Sequence, residues 1–100
     1  MENIEFNASQ LPFNQLIHLK DSDKAGYILM LDDSPDYHNH LQTVHASALF
    51  ALAEATSGQF LINEFNNQAT AILPVVRQAT VKYKKGVTGC VYSTAAFDGF

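Results

Sequence analysis

The sequence predicts an α+β domain in which an antiparallel sheet wraps around one long central helix. Three observations support this prediction: a proline-free, helix-favouring stretch at 44–65, a strand-like pattern after it, and a short apolar run before it. With 47% hydrophobic and 16% charged residues, the chain has the composition of a globular rather than a disordered protein. We therefore expect a single domain, residues 1–100, organised around that helix.

The elements before the long helix are predicted to be short. Residues 1–10 are polar and are expected to be loose. The stretch LPFNQLIHL (11–19) has spacings typical of a short amphipathic helix, with Pro12 in its first turn. The run YILML (27–31) is apolar and bounded by turn residues, which predicts a buried strand.

The long helix is predicted to be enclosed, with Thr43 as its cap. In ASALFALAEA (46–55) apolar residues fall on nearly every face of the helical wheel, a pattern typical of a helix covered on all sides. Glu54 lies within this stretch and has no cationic residue three or four positions away. Burying an unpaired carboxylate costs free energy. Glu54 is therefore either turned to solvent or paired with a distant lysine, or it is a general base or nucleophile.

The C-terminal part is predicted to form three strands, which with the run at 27–31 gives a sheet of about four. The candidates are TAILPVV (70–76), ATVKYKK (79–85) and GCVYSTAAF (89–97), with Pro74 marking an edge or a bulge in the first. An Asp-Gly pair typical of a hairpin turn follows at 98–99. A sheet of ordinary size, with five or six strands, would need more. We expect either a shortened chain with an exposed last edge or dimer contacts that cover it.

Charge and composition argue against several functions. The formal net charge of -4 opposes attraction to nucleic acid, and the apolar run at 48–53 is far too short to span a bilayer. Cys90 is the one cysteine, so no intrachain disulfide can form, and the first residues do not resemble a signal peptide. We expect a cytoplasmic protein that binds neither nucleic acid nor membrane.

The stretch NHLQTVHASALFALAE (39–54) resembles the signature of hotdog-fold acyl-CoA thioesterases of the phenylacetate-pathway type. In that family an asparagine precedes a His-Gly-Gly helix start by six residues and an acid follows the histidine by nine, the spacings of Asn39, His45 and Glu54 here. Ala46 and Ser47 take the places of the two glycines. The resemblance implies a hotdog fold, acyl-CoA hydrolysis without a cofactor, and a homodimer or a dimer of dimers.

The resemblance also implies roles for individual residues. The backbone N–H of Ala46 would polarise the thioester carbonyl, Asn39 would orient the carbonyl or a water, and Glu54 would act as base or nucleophile. Ala46 and Glu54 are eight residues apart, roughly 12 Å along a helix axis, so one helix does not easily bring both to one carbon atom. Two antiparallel copies would place Ala46 of one chain opposite Glu54 of the other. We therefore expect the site at a dimer interface.

Further substrate contacts are expected around this site. Ser47 and His40 lie near the helix start, and Ser57 either helps to hold the water or packs as a small residue. Lys82 and Lys84, with Arg77 and Lys85, could bind the phosphates of coenzyme A. The alternative for the lysines is a solvated, edge-protecting role on a strand.

Three alternatives stay open. His40 precedes Glu54 by fourteen residues, the spacing of hotdog-fold hydroxyacyl-thioester dehydratases, but the segment between them lacks the proline and glycine of those enzymes. His38, His40 and His45 could together supply three zinc ligands, although polar loop residues are the expected alternative. The residues that replace the two glycines favour a non-catalytic acyl-binding module.

Overall fold

The computed structural model of the protein describes residues 6–65 and 75–98. Two helices and three strands follow one another in the order α1 (Pro12–Leu16), β1 (Lys20–Asp21), β2 (Leu29–Leu31), α2 (Ala46–Phe65) and β3 (Val91–Ser93). Turns of 3-10 helix precede α1 and follow β2. The architecture is a small α+β arrangement of one long helix and one antiparallel sheet. No helix in the described residues is long and apolar enough to cross a membrane.

The sheet has the strand order β1-β2-β3, and both pairs of neighbours are antiparallel. Met30 in the central strand lies opposite Lys20 on one side and Tyr92 on the other. All three residues of β2 are buried. This confirms the buried strand that was predicted within residues 27–31.

The core lies between α2 and the sheet. Leu29 and Leu31 share one face of β2 because side chains alternate along a strand, and they pack with Leu52 and Ala55 of the helix. Leu52 and Ala55 are three residues apart and therefore face the same side of α2. The sheet thus covers one side of the helix.

The predicted long helix is confirmed, but its start and its cap differ from the prediction. The helix begins at Ala46. The N–H of Ser47 donates to Nδ1 of His45 over 2.9 Å, so the imidazole of His45 performs the capping role expected of Thr43. Thr43 instead hydrogen-bonds with Asn39 in the preceding loop.

Within residues 6–65 and 75–98, the predicted enclosure of α2 is not found in the single chain. Ala53, Glu54 and Ser57 are exposed on the side away from the sheet. A helix of 20 residues is about 30 Å long, and three strands of two or three residues are too short to surround it. The apolar composition of α2 indicated how much of it suits burial, but not which partner covers each face.

The N-terminal segment differs from the prediction in two respects. Ala8 and Ser9 are buried, so the described part of residues 1–10 is packed rather than loose. The short helix α1 forms with Pro12 in its first turn as predicted, but its inner face is only partly the predicted one: Leu16 is 74% exposed and Asn14 is buried, whereas Leu19 just after the helix is buried as expected. The Nδ2 group of Asn14 donates to the carbonyl of Ala8 over 2.9 Å, which explains why the polar residue faces inward.

Only one of the predicted C-terminal strands is present among the described residues. Strand β3 lies within the predicted 89–97 stretch, whereas residues 79–85 are exposed and form no strand. A strand pattern needs a neighbouring strand to pair with. Residues 70–74, with the predicted bulge at Pro74, and the second residue of the predicted 98–99 turn lie outside the described residues.

Candidate active site

An apolar groove of about 870 Å³ runs along the exposed side of α2 and is called the α2 groove below. Three parts of the chain form its walls: the N-terminal segment, the helix itself and the extended segment 75–81. The apolar lining residues are Phe6, Ala8, Leu11, Phe13, Phe50, Ala53, Ala55, Leu61, Ile62, Val75, Val76, Ala79 and Val81. A concave, mostly apolar site with a few polar groups is the usual form of a small-molecule site.

Glu54 lies in the wall of the α2 groove. Within the described part of the chain, its carboxylate has no hydrogen-bond or ion-pair partner. Arg77 lines the same groove without pairing with it. Ser57 stands nearly one turn further along the helix, and its hydroxyl donates to the backbone carbonyl of Glu54 over 2.8 Å rather than to the carboxylate. The carboxylate is therefore free to contact a ligand or a water.

The start of α2 presents one unpaired backbone amide. His45 is held on both sides, since its N–H donates to the carbonyl of Tyr37 over 2.7 Å and its carbonyl accepts from the N–H of Ala48. The N–H of Ser47 is taken by the His45 ring. Among the described residues no acceptor faces the N–H of Ala46. This amide lies at the positive end of the helix and can donate to a carbonyl oxygen.

Asn39 organises the loop that leads into α2. Its Oδ1 accepts from the N–H groups of Leu41 and Thr43 over 2.9 and 3.1 Å, and its Nδ2 donates to Oγ1 of Thr43 over 2.9 Å. These bonds hold the turn closed from within, as an asparagine side chain commonly does. A direct contact between Asn39 and a substrate stays a prediction.

The remaining histidines lie in the same loop. His40 is exposed and does not line the α2 groove, and His38 forms an isolated bridge with Val44. No group of three or more His, Cys, Asp or Glu residues in the described ranges could hold a metal ion. The three-histidine zinc site therefore gains no support from the geometry.

The two groups expected to act on one thioester are not brought together within one chain. Glu54 lines the α2 groove, whereas Ala46 does not. Their eight-residue separation in α2 corresponds to about 12 Å along the helix axis. A site that uses both groups therefore needs a second copy of the chain.

The segment 82–87, which carries Lys82, Lys84 and Lys85, passes the start of α2. The N–H of Val44 donates to the carbonyl of Val87 over 2.8 Å, and the hydroxyl of Tyr83 lies 3.5 Å from the carbonyl oxygen of Ala46. Lys82 and Lys84 are exposed and flank Tyr83 in the chain. Two lysines thus flank, in the chain, the tyrosine that reaches the first residue of the helix.

Sequence reasoning missed the residue that connects the N-terminal wall of the groove to the helix. Oε1 of Gln59 accepts from the N–H of Ala8 over 2.6 Å, and its Nε2 donates to the carbonyl of Phe6 over 3.1 Å. These partners are more than 50 residues away in sequence. No local pattern marks such a contact. A glutamine in an apolar stretch was the one available signal.

Comparison with known proteins gives a family but no activity. Residues 20–99 match the family model described as Domain of unknown function (DUF4442). No curated protein matches the chain significantly. No solved structure does so either. Since the match extends over well more than half of the 100 residues, this chain belongs to the DUF4442 family.

Proposed function

We propose that this protein is an acyl-CoA thioesterase of the hotdog type, with an active site formed between two copies of the chain. The observation that carries the proposal is the apolar α2 groove with Glu54 in its wall, a carboxylate that has no partner in the described part of the chain. Apolar walls suit an acyl chain, and a carboxylate without a partner can accept a proton from water. The resemblance of residues 39–54 to the thioesterase signature supports the same conclusion.

The proposed reaction needs a hydrogen-bond donor and a base on opposite sides of the thioester. The N–H of Ala46 in one copy donates to the carbonyl oxygen and stabilises the negative charge that develops there. Glu54 of the other copy takes a proton from water as the water oxygen bonds to the carbonyl carbon. The carbon–sulfur bond then breaks, and the leaving coenzyme A thiolate takes up a proton. Direct attack by Glu54, followed by hydrolysis of the resulting anhydride, gives the same products.

The surroundings of Ala46 are compatible with this role. Ala46 and Ser47 carry small side chains, and both are exposed at the helix start. His45 occupies the N–H of Ser47, which leaves the Ala46 amide as the available donor. Asn39 maintains the loop before the helix and thereby positions this amide. Lys82 and Lys84 flank Tyr83, whose hydroxyl reaches the carbonyl of Ala46, and are the residues proposed to meet the phosphates of coenzyme A.

The first test compares two glutamates of the same helix. Glu54 lines the groove, whereas Glu64 is exposed and does not line it. Release of free coenzyme A from a panel of acyl-CoA thioesters is measured for the wild type, Glu54→Gln and Glu64→Gln. We expect activity to fall by at least about a hundredfold in Glu54→Gln, the usual contribution of a general base, and to persist in Glu64→Gln. Equal loss in both variants, or none in either, would contradict the proposal.

A second test examines whether the site is shared between copies. Ala46→Pro removes the amide hydrogen and adds a ring at the first helical position, where proline is well tolerated. Each single variant should be inactive, but a heterodimer of Ala46→Pro and Glu54→Gln retains one intact site. The two variants are unfolded, mixed in equal amounts and refolded together. Half of the dimers are then heterodimers with one of two sites intact, so about a quarter of wild-type activity should return. If dimers form, as shown by solution mass, but no activity returns, then both groups act within one chain and the shared site is refuted.

The alternatives predict different results in the same assays. Hydration of enoyl-CoA that depends on His40 would identify a dehydratase instead. Tight acyl-CoA binding without turnover would identify a non-catalytic binding module. Either result would overturn the thioesterase proposal.

A further inference from the structure

We propose that the α2 groove selects a straight, uncharged acyl chain of about ten carbons. This inference rests on the proposed function, because it treats Glu54 as the point at which the thioester reacts. It specifies which class of acyl-CoA the proposed site accepts. Two properties of the groove carry it: the chemistry of its walls and its length beyond Glu54.

The walls offer apolar contact from three directions. Phe6 and Phe13 come from the N-terminal segment, Leu61 and Ile62 from α2, and Val76 from the extended segment. Phe13 is largely exposed in the single chain although it is apolar, so a bound acyl chain would cover it. Each methylene buried in such surroundings raises the affinity up to about fourfold.

The length of the groove indicates the length of the chain. On α2 its wall extends from Phe50 to Ile62, and the longer arm runs from Glu54 to Ile62. Eight residues of helix correspond to about 12 Å. An extended chain advances about 1.2 Å per bond, because three backbone bonds span up to about 3.6 Å. About ten bonds therefore fill this arm.

The volume of the groove and the charge of its walls indicate whether the acyl chain fits and whether its far end is charged. A space of about 870 Å³ holds such a chain with room for the thioester end. Arg77 is the one cation among the described lining residues and would attract an acyl chain that ends in a carboxylate. The predominance of apolar walls favours a methyl end. A dicarboxylic acyl-CoA is therefore the competing substrate in the test.

The experiment measures kcat/KM for saturated acyl-CoA thioesters of four to sixteen carbons, with adipoyl-CoA as the charged competitor. We expect a maximum near ten carbons, at least about tenfold above butyryl-CoA. Leu61→Trp should move the maximum to shorter chains by filling the far arm, with Ile62→Trp as a second variant if the first does not fold. Glu64→Trp adds the same side chain outside the groove and should leave the maximum in place.

Binding is measured separately, so that failure of this inference is distinguishable from failure of the proposed function. Titration of Glu54→Gln with decanoyl-CoA and butyryl-CoA should show at least about tenfold tighter binding of the longer chain. Equal affinities, a preference for adipoyl-CoA, or a maximum at four carbons would overturn the inference while leaving hydrolysis intact. Absence of hydrolysis of every thioester would overturn the proposed function, whatever the binding result.

Discussion

Gln59 connects the N-terminal wall of the α2 groove to the helix, and its removal should both destabilise the protein and weaken acyl binding. Its Oε1 accepts from the N–H of Ala8, which is only 1% exposed, and its Nε2 donates to the carbonyl of Phe6. A third bond, to Oδ1 of Asn63, is exposed. The change Gln59→Ala removes all three bonds at once.

The expected loss follows from the burial of these partners. Each ordinary hydrogen bond contributes about 0.5–1.5 kcal/mol net, and a buried donor left unpaired costs about 1–3 kcal/mol. Since the N–H of Ala8 is left without its acceptor and the carbonyl of Phe6 without its donor, we expect the free energy of unfolding to fall by about 2–4 kcal/mol. This is a large fraction of the about 5–15 kcal/mol that stabilises a typical domain.

Urea denaturation followed by circular dichroism measures this change, provided that the dependence on urea concentration keeps the same slope. Asn63→Ala is the matched control, because it removes only the exposed bond and should cost less than about 0.5 kcal/mol. Phe6 and Ala8 both line the groove, so the KM for decanoyl-CoA should rise in Gln59→Ala. A loss of stability below about 1 kcal/mol would refute the reasoning, because it would show that water replaces Gln59 at no cost.

Three further predictions concern the core and the loop before α2. Thr56 is 1% exposed and its hydroxyl has no partner in the described residues. Thr56→Val should therefore raise the free energy of unfolding, measured by urea denaturation, by about 1–2 kcal/mol. A destabilised variant would instead indicate that a bound water pairs with the hydroxyl. Burial, followed by nearby aspartates, raises the pKa of Tyr37, whose hydroxyl donates to the carbonyl of Ile17. The neutral phenol is thus favoured in the folded state, and its stabilising contribution is present below pH 10 and lost as pH rises above it; Tyr37→Phe should show a smaller loss of stability above pH 10, and an identical loss would count against this cause. Asn39→Ala should lower the free energy of unfolding by about 1–3 kcal/mol, because the loop amides of Leu41 and Thr43 lose their acceptor. Thioesterase activity should fall with it. Unchanged stability would mean that Asn39 does not hold the loop and would leave a substrate contact as its role.

Local features of the fold could be predicted from the sequence because they depend on neighbouring residues. The proline-free, alanine- and leucine-rich stretch favours a helix in any surroundings, and α2 (Ala46–Phe65) forms there. The short apolar run with turn residues on both sides becomes the buried strand β2. Pro12 begins α1 because its fixed backbone angle suits the first helical turn. The spacing of Asn39 and Glu54 was also visible in the sequence, although their chemistry was not.

The orientation of these elements was decided by contacts between residues far apart in the chain. Asn14 faces inward, against the amphipathic prediction, because the carbonyl of Ala8 accepts from it. Glu54 faces a groove because the short sheet covers only the opposite side of α2, and residues 75–81 form a further wall. Gln59 creates the N-terminal wall through partners more than 50 positions away. Periodicity and propensity report what one segment prefers, whereas the partner of each exposed or buried face is selected only when all segments pack together.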